Sequence, residues 1–254
     1  RILLFFFAVF VAGVVVVFYF AYNDPFLIPL AVILAVGSTV GGFYYSDKIV
    51  LAATAARPAV KEEFPHYVNS VEGLTIAAGI PQPRAYVIDD PAPNAFATGR
   101  DPDHAIICVT TGLLNMMNRV ELEGVIAHEM SHIKNYDIRF MMLVAVMVGF
   151  IVLLSDLFWR RMWWGGVGRR RGRGGDQAQL IFLAVGILLA ILAPISAAVL
   201  QAALSRRREY LADASGAHLT RFPEGLASAL EKISADPNKL RSANKATAHL
   251  FIVN

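Results

Sequence analysis

The chain has 254 residues, a formal net charge of +3, and a composition that is 56% apolar and only 17% charged. A soluble domain carries roughly 25% charged residues, so this balance excludes an ordinary soluble globular protein. A single cysteine, Cys108, excludes an intramolecular disulfide and suits a reducing compartment.

The apolar excess falls in four runs. Residues 2–22 and 25–45 are free of charge, and each is long enough for a bilayer, which takes about 20 residues. The link Asn23-Asp24-Pro25 leaves room only for a tight hairpin. The first run lacks the short apolar core and the small-residue cleavage site of a signal peptide, so a retained hairpin is expected over 1–45. A helix is predicted over 46–82, with Val60, Phe64, Val68 and Val71 at helical spacing and Gly79-Ile80-Pro81 as its stop. Three short strands follow at Arg84–Ile88, Ala95–Thr98 and Ala105–Thr110, with a turn over Gly99-Arg100-Asp101-Pro102-Asp103. Cys108 lies in the apolar run Ala105–Val109 and reads as a buried strand residue. Asn118 is a candidate N-cap for the next helix, with acids in its first turn.

The third apolar run reaches from Phe140 to Trp159, broken at Asp156, and the fourth from Gln177 to Ser205, with Pro194 inside it. Both are expected to span a membrane, the competing reading being a hairpin buried within the protein. Arg160, Arg161, Arg169, Arg170, Arg171 and Arg173 between them are interleaved with glycines and flanked by Trp163 and Trp164. That pattern fits a flexible loop near anionic headgroups and not a nucleic-acid site.

The chemistry concentrates in His128-Glu129-Met130-Ser131-His132. Two histidines four apart on a helix are rotated by only about 40° and leave one face. Neutral imidazoles so placed can bind one Zn²⁺, with Glu129 positioned to take a proton from water during hydrolysis. The bland alternative is a solvated helix with two surface histidines. A hydrolytic zinc takes a third protein ligand. His66, His104, His218 and His249 are isolated and read as surface or structural histidines. Glu209 is the better candidate: Ser205–Asp213 continues an apolar helix without Pro or Gly, which puts Glu209 and Asp213 on one face. Taken alone, that stretch is also an ordinary exposed charged turn.

At these two segments the chain resembles the HtpX-type membrane metalloproteases, gluzincins related to the CAAX prenyl proteases. His128 to His132 followed by Asp137 resembles the family's zinc helix. Ser205-Arg206 through Glu209 to Asp213 resembles its third-ligand helix, and Pro93–Gly99 its strand beside the active site. The resemblance implies His128, His132 and Glu209 as ligands of one Zn²⁺ per chain, Glu129 as general base, and Asp213 as the residue holding a ligand histidine. Asn94, Ala95, Phe96 and Ala97 become candidates for pairing with an extended substrate. Members of that family usually continue some tens of residues past the position of Asn254, so residues 206–254 read as a shortened segment.

The expected fold is a mainly α integral membrane protein: four hydrophobic helices and a small α+β zincin-like catalytic domain. The hairpin is 1–45, the first part of the catalytic domain 46–139, the third and fourth helices 140–205, and the second catalytic part 206–254. Lys48, Arg57 and Lys61 after the second run and Arg206, Arg207 and Arg208 after the fourth point to a cytoplasmic catalytic domain, while the loop arginines at 160–173 pull against that topology. The expected protein is a multi-pass zinc endopeptidase of the bacterial inner membrane. It would cut misfolded or membrane proteins at the cytoplasmic face as part of quality control and stress response, with the bilayer and protein substrates as partners and no nucleic acid. Two alternatives stand: a membrane scaffold with a structural metal, and a protease restricted to lipidated peptides. Tyr210, Arg206 and His218 are open candidates for a second oxyanion donor.

Overall fold

The computed structural model describes residues 44–142 and 206–238, with scattered positions between 29 and 41. Two compact units divide the chain, one of residues 1–42 and 146–201, the other of residues 43–145 and 202–254. The described positions of the first unit are helical, and Ile33, Val36 and Val40 expose apolar side chains. No helix among the described residues is long and apolar enough to cross a membrane. The apolar runs at 2–22 and 177–205, most of 25–45 and 140–159, and the arginine-glycine loop lie outside the described residues.

The second unit is a mixed α/β domain with more helix than strand. Its sheet has the order β1-β2-β4-β3, formed by β1 (Arg57–Pro58), β2 (Arg84–Ile88), β3 (Ala95–Thr98) and β4 (Ile106–Thr110). β2 runs parallel to β4, with Tyr86 opposite Cys108, while β1 and β3 are antiparallel edges. The helices are α1 (Ser46–Thr54), α2 (Pro65–Ala78), α3 (Thr111–Met116), α4 (Arg119–Lys134), α5 (Arg206–Thr220) and α6 (Pro223–Ala235). Alternation along the strands splits the sheet into two apolar faces. Val87, Ala95, Ala97, Ile107 and Val109 pack with Tyr67 and Val71 of α2 and Val125, Ile126 and Met130 of α4. On the other face Ile88, Phe96 and Cys108 meet Val50 of α1 and Met142.

The helix expected over 46–82 is two helices with a strand between them. Ala55 closes α1 in the left-handed region at φ 52°, and Pro58 lacks the N–H a continuing helix needs and disfavours helical geometry at Arg57. Both residues pair with β2. Pro65 then opens α2 at its first turn, where the missing N–H costs nothing. Val60 is left 49% exposed. Gly79 does end α2, at φ 66°. The third expected strand starts at Ile106 because Pro102–His104 tightens into a 3₁₀ turn, capped by the Asp101 side chain accepting the His104 N–H.

Helix α4 is the axis of the domain. It is buried from Glu121 to Ile133 except at Glu123, and it packs against α2, α5, α6 and β3. Asn118 starts it with a capping box: its Oδ1 accepts the Glu121 N–H at 3.0 Å while Glu121 Oε2 accepts the Asn118 N–H at 3.0 Å. The Glu121 carboxylate also accepts from Ser228 Oγ at 2.6 Å and Lys232 Nζ at 2.7 Å, which ties α6 to the start of α4. Glu121→Ala removes a cap together with the hydrogen bonds from Ser228 and Lys232, and is expected to lower unfolding free energy by about 2 kcal/mol. Urea denaturation checks this, and an unchanged midpoint would show that the knot contributes nothing.

Candidate metal centre

His128 and His132 leave α4 on one face, and their rings meet edge to face with centroids 4.9 Å apart and an interplanar angle of 82°. The two Nε2 atoms are 3.3 Å apart. From α5, Glu209 Oε2 comes within 3.5 Å of His128 Nε2 and 3.7 Å of His132 Nε2. The three ligand atoms all lie within 4.8 Å of one another.

Each ring is held from behind by a carboxylate. Asp213 Oδ1 is 2.9 Å from His128 Nδ1, at ion-pair distance though off the line of an ideal N–H···O bond. Asp137 Oδ2 is 3.2 Å from His132 Nδ1. A proton kept at Nδ1 by an acid leaves the Nε2 lone pair free, so two lone pairs converge on one point beside a carboxylate oxygen. A tetrahedral ion with bonds of about 2.0–2.1 Å needs donors about 3.3–3.4 Å apart, and two imidazoles with one carboxylate are a zinc donor set. The residues fit the ion.

In the metal-free chain, protons take the cation's place. Burial acts to lower both imidazoles, but the acids outweigh it. Asp213 and Glu209 bring His128 up to about 9, and Asp137 and Glu209 bring His132 up to about 10. Hydrogen bonds to the same two histidines hold Glu209 well below the usual carboxylate range. Glu129 is buried beside them, and burial raises its carboxyl against the pull of both imidazoles.

The backbone of Ala97 hydrogen-bonds the Glu129 carboxylate and favours its charged form. The geometry of β3 explains why Ala97 can do so. Asn94 precedes the strand and turns toward β4: its C=O accepts the Thr110 N–H at 2.9 Å and its N–H donates to Thr110 Oγ1 at 2.9 Å. Antiparallel alternation then sends the main-chain groups of Phe96 and Thr98 to β4 and those of Ala95 and Ala97 outward. Ala95 uses its N–H on Asn94 Oδ1 at 3.0 Å.

Other candidates lie apart. Tyr210 is exposed at 68%. His218 lines a cavity with Met130, Ser131 and Lys134; Met130 and Lys134 are turned to the far side of α4 from the two histidines, while Ser131 is about 60° round the helix from His128. His104 is bound to Asp101 in the β3–β4 loop, Cys108 is fully buried in β4, and His249 lies outside the described residues. Asp137 as the partner of His132 is what residue spacing missed. Tyr136 adopts a left-handed φ of 60° just past α4, and that reversal carries Asp137 back under the ring. The sequence signal was there only as an acid shortly after the helix end.

The profile of peptidase family M48 matches residues 62–250. A protein described as protease HtpX homolog from Caldanaerobacter subterraneus subsp. tengcongensis is 51% identical over 253 residues, covering 100% of this chain and 84% of that protein. Another of the same description, from Dictyoglomus thermophilum, is 56% identical over 209 residues, covering 82% of this chain and 67% of the relative. Among solved structures, the crystal structure of S. mikatae Ste24p aligns with a TM-score of 0.55 at 21% identity over 92% of this chain, which spans 58% of that one; the likeness is one of fold. These relatives define a metalloprotease. The chain belongs to peptidase family M48.

Because both histidines have folded pKa values above their unfolded value near 6.5, the stability they contribute without metal is complete below about pH 6.5. It is lost as pH rises through about 9 and about 10. The chelator-treated chain is therefore expected to melt progressively lower from pH 6.5 to 10. A melting temperature that rises over that window would contradict the assigned contacts.

Proposed function

We propose that this protein is a zinc-dependent endopeptidase anchored in the bacterial inner membrane, which cuts misfolded or membrane proteins at the cytoplasmic face for quality control under stress. The observation that carries the reading is the convergence of His128 Nε2, His132 Nε2 and a Glu209 oxygen next to the buried Glu129. In this reading those three residues hold one Zn²⁺, Asp213 orients His128, and residues 46–139 and 206–254 together form the catalytic domain. The apolar runs of the sequence supply the membrane anchor, and Lys48, Arg57, Lys61 and Arg206–Arg208 favour a cytoplasmic site.

Zn²⁺ bound there supplies a Lewis acid that lowers the pKa of water and polarises a carbonyl. The chain's own residues handle the proton and the peptide. Glu129 accepts a proton from the attacking water and delivers it to the leaving amine nitrogen, which breaks the C–N bond without releasing a free amide anion. Its burial raises the carboxyl toward the range a general base needs, and Ala97 fixes its position. An extended substrate pairs along the outer side of the edge strand β3, which is buried in the chain alone, through outward main-chain groups of Ala95 and Ala97 that Asn94 and Glu129 do not occupy, so recognition rests on backbone more than on side chains. Asn94 and Phe96 support that edge from the β4 side.

The test is cleavage of an unfolded protein by the detergent-solubilised chain, with zinc removed and restored. Chelation is expected to stop cleavage and zinc to restore it. Glu129→Gln keeps stoichiometric zinc yet loses at least about a hundredfold in rate, whereas Glu209→Ala lowers metal occupancy. Normal turnover by Glu129→Gln would remove Glu129 from the role of base.

A further inference from the structure

The helix that carries Glu209 and Asp213 reaches α4 at one point of unusually close approach. A Cβ at Gly216 would stand 3.0 Å from His128 N, 3.2 Å from His128 Cα and 3.3 Å from Ala127 C. All three are backbone atoms of a helix buried on nearly every side, so they cannot swing aside as a side chain would. Gly216 lies seven residues after Glu209 and three after Asp213, and at about 100° per residue the three share one face of α5 within about 60°. Gly216 is buried, and so is Ala212 on the same seam. The residue that must be smallest therefore touches the backbone of His128 itself, the histidine that faces both acids of α5.

We propose that Gly216 is a positioning residue for the metal centre: its missing side chain sets the distance at which Glu209 and Asp213 of α5 meet His128 of α4. A methyl group there moves the two helices apart by a few tenths of an ångström, because contacts of 3.0–3.3 Å lie inside ordinary van der Waals separation. Metal–ligand distances tolerate only about ±0.2 Å. The shift acts on the carboxylates while leaving the histidine pair, which belongs to α4 alone, in its own geometry. This inference rests on the zinc reading above.

Two other glycines separate positioning from packing. Gly73 on α2 has nothing within 4 Å of its would-be Cβ, and Gly124, one turn before His128 on α4, would meet Leu226 N of α6 at 2.7 Å, so its close contact is with α6 and not with α5. Zinc affinity is measured by chelator competition on the full detergent-solubilised chain, with the Co²⁺ absorption spectrum as a coordination signature and circular dichroism melting as the fold control. Gly216→Ala is expected to weaken zinc binding about tenfold or more and alter the Co²⁺ spectrum, while the metal-free chain keeps its helical signal and a cooperative melt. Gly73→Ala changes neither property, and Gly124→Ala lowers the melting temperature without changing zinc affinity. Asp213→Glu, one methylene longer, recovers part of the affinity in the Gly216→Ala background. Unchanged zinc affinity in Gly216→Ala, or loss of its fold together with its metal, overturns the proposal. Failure of the unaltered chain to bind zinc overturns instead the reading on which it rests.

Discussion

Two imidazole lone pairs aimed at each other across 3.3 Å repel unless something positive lies between them. The domain has built around that repulsion. Asp213 and Asp137 each stand behind one ring at Nδ1, and Glu209 closes the third side. Without a cation the acids draw protons onto the rings, which is why both histidines titrate well above their ordinary value. A divalent ion would satisfy the same three atoms and release those protons. The electrostatic demand of this point explains why α4 and α5 must be close and why acids occupy both flanks.

The rest of the fold serves to hold α4 still. Its start is fixed by the Asn118–Glu121 box and by Ser228 and Lys232 of α6. Its inner face rests on Val87, Ala97, Ile107 and Val109 of the sheet. The opposite face of the sheet is closed by Val50 and Met142, so β3 is supported from behind where α1 and the segment past α4 meet. Since β3 is an edge strand, one set of its main-chain groups is free of β4, and Ala97 spends its own on Glu129. The base and the edge strand are thereby set in one register.

Periodicity and spacing carried much of this domain. The start of helix α4 at its Asn118 cap and the bounds of β2 through β4 could be read to within a residue because each has a local cause, a cap or an alternation. What escaped was set at long range or by single backbone angles. Nothing local marks Arg57–Pro58 as a strand, since its partner is β2, almost thirty residues away in the chain. Asp137 reaches His132 only because Tyr136 adopts a positive φ that tyrosine rarely takes. Gly216 looks like any helical glycine until the backbone of His128 is laid against it. The acids of α5 were legible as a face, but their distance from α4 was not.

The central claim is that two imidazole nitrogens and one carboxylate oxygen hold a single zinc. X-ray absorption at the zinc edge of the loaded, detergent-solubilised chain tests it most directly. Only nitrogen and oxygen neighbours near 2.0–2.1 Å are expected, with the outer-sphere pattern of two imidazoles. A sulfur neighbour near 2.3 Å, or a spectrum without imidazole scattering, would contradict it.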